Sequence, residues 1–257
     1  MTRMSELALQ WADCPLCARS RTFVRLAENE IAVRCLGCRA TPISLSTISV
    51  IAQVAGDVRG IDVYELSARG PVFGFLERSG ARLLGSEYFH DVEPGHFRGE
   101  VQCQDVQCLT LADASFDLCT STEVFEHVPD DARGFAEIRR VLRPDGIFVF
   151  TVPIDVTSST IERARIVEAG EIEHLLPPEY HSDPIRSSAP ILAFRNYGGD
   201  ILGRLIDAGF RTAEIRKPDF QPWGYFRHVI VAYCGDPPAD LNDEALVRRV
   251  TARQSDT

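Results

Sequence analysis

Between Phe116 and Pro153 the chain spells out a complete strand–loop–helix–turn–strand unit. Phe116 to Thr120 is a short apolar strand. Ser121 to Pro129 is a loop carrying two acids, Glu123 and Glu126, and the imidazole of His127. From Asp131 to Leu142, Phe135, Ile138, Val141 and Leu142 recur at helical spacing, and Asp130 or Asp131 suits the helix start as its cap. Arg143-Pro144-Asp145-Gly146 is a tight turn. Ile147 to Val152 then runs apolar without a break, as strands buried on both faces do. Two strands joined through a helix run parallel, so this unit calls for a sheet covered by helices.

The flanking sequence repeats the alternation. Strands are expected at Ile61–Leu66, Arg82–Glu87 and Val101–Val106, with a helix from Pro71 to near Gly80 after the first. Beyond the central unit follow a helix over Asp200–Ala208, a strand over Arg211–Arg216 and a last strand over Phe226–Cys234. This is the pattern of a doubly wound α/β sheet, whose ligands sit outside the carboxyl ends of the strands at the switch point. Residues 153–195 are irregular and rich in Pro, Ser, His and Glu, and a connection this long usually carries function. Residues 41–60 are expected to form a linking helix, Ser44 to Ala55, closed by Gly56 and packed on the main sheet. Residues 235–257 read as a polar tail with a short helix around Glu244–Arg253.

The front of the chain is a separate signal. Cys14-Pro15-Leu16-Cys17 and Cys35-Leu36-Gly37-Cys38 make a CxxC-x17-CxxC pattern. Each knuckle turns two thiolates toward one point, and two knuckles give tetrahedral zinc coordination. Thr22–Leu26 and Ile31–Cys35 read as the strands of a zinc-ribbon hairpin over residues 1–40. Four sulfurs leave no open position, so Cys14, Cys17, Cys35 and Cys38 are expected to hold a structural ion. Cys103, Cys108, Cys119 and Cys234 read as small apolar residues.

Formal charge is -10, from 37 acidic and 27 basic side chains, and Lys217 is the only lysine. Such a field does not attract phosphate backbones, which argues against a nucleic-acid partner. No run reaches the ~18 apolar residues of a membrane span and no secretory signal is evident, so the expected location is cytoplasmic.

Taken in order, Phe116-Asp117-Leu118, Glu123-Val124-Phe125-Glu126-His127-Val128, Ile138-Arg139-Arg140-Val141-Leu142-Arg143-Pro144-Asp145-Gly146 and Phe150-Thr151-Val152-Pro153 resemble the middle of class I S-adenosylmethionine-dependent methyltransferases. The resemblance spans about residues 61–234. It implies a Rossmann-like seven-stranded methyltransferase sheet behind the small N-terminal zinc-ribbon module. It further implies that Glu65, Ser67 and Gly70 order the methionine end of S-adenosylmethionine and that Glu87 binds the ribose diol. Asp105 and Val106 match the adenine position, and Thr122 and Glu123 close over the cofactor. The usual glycine-rich loop reads here Glu65-Leu66-Ser67-Ala68-Arg69-Gly70-Pro71, with Ser67, Arg69 and Pro71 in the glycine positions.

The sulfonium is already activated, so the protein mainly aligns the acceptor, with a base where the acceptor is a hydroxyl. His127 suits that role by its ordinary titration range, against a purely structural role at the loop. In the insertion, where substrate lids sit in this fold, His181 with Asp183 offers a base and an orienting acid. His174 and Tyr180 are the substrate-binding candidates. A metal held by His174, His181 and an acid has no recognised spacing. The Glu179-Tyr180-His181-Ser182-Asp183-Pro184 segment and Phe194-Arg195 with Gly198, Asp200 and Leu202 most resemble small-molecule or glycan methyltransferases of bacterial biosynthesis, with oxygen as acceptor. The alternatives are a ribosomal-RNA methyltransferase with a zinc module, and a non-catalytic scaffold that binds a protein partner through its ribbon.

Overall fold

The structure is a computed structural model that describes residues 7–168, 170–182, 190–239 and 241–252. It opens with a three-stranded antiparallel sheet, β1 (Ala8–Cys14), β2 (Arg19–Arg25) and β3 (Val33–Cys35), in that spatial order. β1 pairs with β2 from Ala8↔Arg25 to Cys14↔Arg19. The sequence had suggested only the second hairpin. β1 lacks an inward apolar stripe, since its large side chains, Leu9 and Trp11, point to solvent at 62% and 70% exposure. Alternation alone therefore gave no sign of a buried face.

Helix α1 (Pro42–Val54) starts with Pro42 in its first turn, and the Thr41 hydroxyl accepts from Ser44 N at 3.5 Å. It joins two cores. Leu45 packs with Phe23 and Val33 under the ribbon, while Ile48, Ile51 and Val54 pack with Val63, Leu76, Val149 and Val231 against the main sheet.

The main domain continues with β4 (Asp62–Glu65), α2 (Pro71–Arg78), β5 (Arg82–Glu87), β6 (Phe97–Arg98) and β7 (Val101–Cys103). Then come β8 (Phe116–Thr122), α3 (Asp131–Val141) and β9 (Leu142–Thr151). The Asp130 carboxylate accepts from Arg133 N at 3.0 Å, so Asp130 is the cap of α3. Behind β9 the insertion is built from β10 (Ile154–Asp155), β11 (Ile161–Glu162), β12 (Ala164–Ile166), β13 (Ile172–His174), β14 (Glu179–Ser182), β15 (Pro190–Ala193) and β16 (Arg195–Gly198). α4 (Ile201–Asp207), β17 (Thr212–Arg216), β18 (Val229–Tyr233) and β19 (Leu246–Thr251) complete the fold.

The central sheet has nine strands in the order β19-β17-β18-β9-β8-β4-β5-β7-β6. β7, β5, β4, β8 and β9 run parallel, while β18 is antiparallel to both β9 and β17. The seven expected strands are all present, and β6 and β19 extend the two edges. The expected helix near Glu244–Arg253 is a correction: its residues form a short turn, Asp243–Ala245, and then β19. Strand β17 is buried along its whole length, and it needs a partner on its outer edge. β19 supplies one, with Arg249 donating to the fully buried Glu214 carboxylate.

The chain leaves β4 toward β5 and β7, then returns to β8 and proceeds to β9. The switch point therefore lies between β4 and β8, which pair directly from Val63↔Leu118 to Glu65↔Thr120. Under it, Phe125 stacks on Phe135 at 4.5 Å and Phe148 on Phe150 at 4.4 Å. The insertion, expected to be irregular, consists of two hairpins and the small β10-β16-β11 sheet. Arg195, 3% exposed, fastens it to the turn after β8 by donating to the carbonyls of Phe125 (3.2 Å), Val128 (2.6 Å) and Pro129 (2.7 Å).

Candidate active site

Every strand facing the switch point ends in a polar group. β4 ends at Glu65, 2% exposed, whose carboxylate accepts from the Thr120 hydroxyl of β8. β5 ends at Glu87, 1% exposed. Its Oε1 accepts from Ser67 Oγ at 3.1 Å and Ala68 N at 3.2 Å, and Arg69 Nε lies 3.5 Å away. The loop that lacks the usual glycines thus closes onto the acid of the neighbouring strand, and Ser67 contributes a donor that glycine does not have. Gly70 keeps a glycine-type φ of +101° just before α2. Close approach is provided from the other side. A Cβ on Gly85 would meet the Phe73 ring at 2.5 Å and Ala68 Cα at 3.0 Å.

After β7, Asp105 accepts from Gln107 N at 2.9 Å and Val106 is buried. β8 ends at Thr122, and the hydroxyls of Ser121 and Thr122 are buried without a hydrogen bond among the described residues. Glu123 sits at φ +53°, a strained backbone for a residue with a side chain. Its Oε2 accepts from Arg227 Nη2 at 2.8 Å, and the same nitrogen lies 2.9 Å from Glu30 of the ribbon. Burial, together with the charge of Glu126, pushes the Glu123 carboxyl up to about 7. Glu65, Ser67, Gly70, Glu87, Asp105, Val106, Thr122 and Glu123 therefore line the carboxyl-terminal rim of one sheet.

A second cluster adjoins Glu123. The turn Phe125–His127 presents Glu126, 1% exposed, beside His127. His127 Nδ1 is 2.8 Å from the Leu192 carbonyl, and its Nε2 is 3.6 Å from Glu126 Oε1. The insertion brings in His181 through β14. Its Nδ1 is 3.7 Å from Glu126 Oε1 and its Nε2 is 3.1 Å from Glu179 Oε1. The two imidazoles meet edge to face with centroids 5.0 Å apart. Glu179 in turn accepts from Asn196 Nδ2 at 3.2 Å.

Glu126 first, then Glu179, holds the His181 imidazolium up to about 9 against the opposing effect of burial. His181 is therefore charged at neutral pH. This interaction stabilises the fold fully below the unfolded value of ~6.5 and is lost as pH rises through about 9. We expect a ring-proton NMR titration of His181 to show a midpoint near 9. In Glu126→Gln the midpoint should fall toward ~6.5, because the largest cause of the shift is gone. An unchanged midpoint in that variant would disprove the assignment.

The other expected residues are placed differently. His174 is exposed on β13, and among the described residues it does not join a cluster of metal-ligating atoms. Tyr180 is 54% exposed. Asp183 lies outside the described residues. From sequence, Glu126, Glu179 and Arg195 stand in the motifs without a site role of their own, and Arg227 carries no signal. The signal for Glu126 was present in the spacing of Glu123, Glu126 and His127, which one turn brings to a common side.

In the ribbon, Cys14, Cys17, Cys35 and Cys38 converge, with Cys14 Sγ 3.7 Å from Cys38 Sγ and Cys17 Sγ 3.9 Å from Cys35 Sγ. Sulfurs about 2.3 Å from a tetrahedral zinc stand about 3.8 Å apart, so the cluster is compatible with that ion. A Cβ on Gly37 would lie 2.7 Å from Arg21 Nε, which shows how tightly the second knuckle is packed.

The strand order and the switch point between β4 and β8 give the Rossmann-like arrangement of class I methyltransferase domains. Comparison with known proteins agrees. Residues 70–150 match the family described as a methyltransferase domain. The chain is 32% identical over 120 residues to a ubiquinone biosynthesis O-methyltransferase of Coxiella burnetii, covering 41% of this chain and 48% of that protein. It is 26% identical over 191 residues to the protein of the same description from Paraburkholderia phymatum, covering 73% and 67%. The chain thus spans about half the length of the Coxiella relative. Among solved structures, the complex of the Haloferax volcanii Trm112 methyltransferase activator with a methyltransferase aligns at a TM-score of 0.50 and 16% identity, over 74% of this chain and 89% of that one. That likeness is one of fold. Among the described residues no helix is long and apolar enough to cross a membrane.

Proposed function

We propose that this chain transfers a methyl group from S-adenosylmethionine to an oxygen of a small molecule or glycan. The observation that carries the reading is Glu87, a buried acid at the end of β5 beside the switch point, within the segment matched to the methyltransferase family. In this reading Glu87 binds the ribose, Glu65, Ser67 and Gly70 order the methionine end, and Asp105 with Val106 meets the adenine. Thr122 and Glu123 cover the cofactor. Relatives named as O-methyltransferases support an oxygen acceptor.

S-adenosylmethionine, when bound, would supply an activated methyl group: an acceptor oxygen held in line with the sulfonium would form the new C–O bond as the S–C bond breaks, the electron pair staying on sulfur to leave S-adenosylhomocysteine. The hydroxyl proton needs a base. With no metal ion bound, His181, charged at neutral pH, would steady the developing oxygen charge, with His127 beside it. Glu123, pushed up to about 7, is better matched to accept the proton. The insertion of residues 153–195 forms the acceptor side, with Tyr180 and His174 at its exposed edge. Cys14, Cys17, Cys35 and Cys38 hold a structural zinc. A protein partner at the ribbon would meet the exposed Leu7, Leu9 and Trp11.

The test is transfer of radiolabelled methyl to a panel of phenols, polyols and sugars, with amines and RNA alongside. We expect label in a methyl ether and release of S-adenosylhomocysteine. Transfer to RNA alone would overturn the acceptor class. The scaffold reading, favoured by the Ser67-Ala68-Arg69 loop closing onto Glu87, requires that no cofactor bind.

A further inference from the structure

We propose that Glu126, His127 and His181 form a binding site for a divalent first-row transition-metal ion, separate from the four-cysteine centre. The ligand atoms of the three residues all lie within 4.8 Å of one another. The contacts from Glu126 Oε1 to the two histidine nitrogens, 3.6 and 3.7 Å, are too long for hydrogen bonds, which close at about 2.7–3.2 Å. They suit two ligands of one ion. Atoms each about 2.1 Å from a shared metal stand roughly 3.0–4.2 Å apart, depending on the angle between the bonds.

The rest of the geometry fits a ligand set. Each histidine has its other nitrogen tied down, His127 Nδ1 on the Leu192 carbonyl at 2.8 Å and His181 Nε2 on Glu179 Oε1 at 3.1 Å. This leaves His127 Nε2 and His181 Nδ1 facing Glu126. Carbonyl and carboxylate partners of this kind orient metal-ligating histidines and fix the tautomer. Glu179 is itself held by Asn196 Nδ2 and by Arg163 Nε at 3.4 Å.

Glu126 provides the independent observation. It is 1% exposed, and neither carboxylate oxygen has a hydrogen bond among the described residues. A buried carboxylate without hydrogen bonds is costly, and buried polar groups are normally satisfied. Glu123, the neighbouring acid, adds to the negative charge at this point. A metal ion, taking the place of the proton between His181 Nδ1 and Glu126, satisfies both requirements.

Two imidazoles and a carboxylate favour manganese, iron, cobalt or zinc over magnesium or calcium, which prefer all-oxygen sites. Three protein ligands leave positions open, unlike the closed four-sulfur centre. His127 and Glu126 come from the turn after β8 and His181 from the insertion, so a bound ion would also pin the insertion to the rim. Glu126 acts electrostatically on Glu123, so a bound ion would stand beside the rim where the acceptor lies if the methyl-transfer reading holds. The acceptor class that follows is a molecule with two adjacent oxygens able to chelate, such as a catechol or a vicinal diol. This role rests on the methyl-transfer reading, whereas the site itself does not.

The experiment is a manganese(II) titration of protein carrying a single zinc per chain, in the four-cysteine centre, followed by the loss of the free-ion EPR signal, with S-adenosylmethionine binding measured in parallel. We expect one manganese per chain, binding at least about 10-fold weaker in His181→Ala and in Glu126→Gln, with zinc content and circular dichroism unchanged. Glu179→Gln should weaken binding about 10-fold through His181 alone, the effect expected of an outer partner. No saturable manganese binding in the folded wild type, or equal binding in all three variants, would overturn the site. Manganese binding without cofactor binding would keep the site and remove the methyl-transfer reading instead. A bound ion that leaves methyl transfer to catechols and diols unchanged would overturn its role at the acceptor.

Discussion

Cys35→Ser is expected to release the ribbon's metal and melt residues 8–40 while the central sheet survives. The ribbon's buried core is small, comprising Cys14, Phe23, Val33, Cys35 and Ala40 with Leu45 from α1. A segment of this size does not bury enough apolar surface to offset its chain entropy. Structural zinc contributes on the order of 10–16 kcal/mol in comparable peptide modules, so its loss removes most of what orders the ribbon. The main sheet has its own cores on both faces, built around Phe135, Phe148 and Phe150 on one side and Val63, Val149 and Val231 on the other. Zinc bound by the four-cysteine centre should fall from one per chain to none, and limited proteolysis should cut first within residues 8–40. The Glu30–Arg227 contact would be lost with the ribbon, loosening Glu123 at the rim. Retention of stoichiometric zinc in this variant, or loss of the whole fold, would contradict the account.

Glu87→Ala is expected to weaken S-adenosylmethionine binding by at least about 100-fold. A buried carboxylate accepting from a ribose diol makes two charge-assisted hydrogen bonds, each contributing about 1.5–3 kcal/mol. About 2.7 kcal/mol already corresponds to 100-fold in affinity. The variant also removes the acceptor for Ser67 Oγ and Ala68 N, so the loop between β4 and α2 loses its anchor. Glu87→Gln separates the two effects. The amide oxygen can still receive the loop's donors but carries no charge, and an intermediate loss is expected. Calorimetry on the three proteins, with their unfolding midpoints compared, reads both effects.

The parts of the fold that were legible in the sequence are those set by local periodicity. The β8–α3–β9 unit carries its own cap in Asp130 and an unbroken apolar strand, so its helix and strands fall close to where the pattern puts them; the tight turn expected at Arg143–Gly146 is a correction, since these residues begin β9 and the chain absorbs them in a register shift against β8. β19 was misread because Leu246–Thr251 has the polarity of an exposed segment, and only pairing with the buried β17 decides its form. β1 was missed because its largest side chains face solvent. The insertion's hairpins depend on non-local contacts such as Arg195 to the carbonyls after β8. Close backbone packing also shapes it, since a Cβ on Gly198 would stand 2.3 Å from the Ser158 carbonyl.

The candidate site divides in the same way. Glu65, Glu87 and Asp105 could be placed because strand ends are readable. His181 is separated from His127 by 54 positions in the chain, and nothing local announces that β14 carries it to Glu126. Glu126 stands in the readable spacing of Glu123, Glu126 and His127, but its burial and the absence of a hydrogen bond to its carboxylate among the described residues are set by non-local packing.

The central claim is that the rim built from β4, β5, β7 and β8 holds S-adenosylmethionine although Ser67, Arg69 and Pro71 stand where glycines are usual. Isothermal calorimetry of zinc-loaded wild type with S-adenosylmethionine and S-adenosylhomocysteine tests it most directly. The account predicts one saturable site per chain for each ligand, in the micromolar range and lost in Glu87→Ala. Absence of heat or saturation in correctly folded, zinc-loaded protein would contradict it.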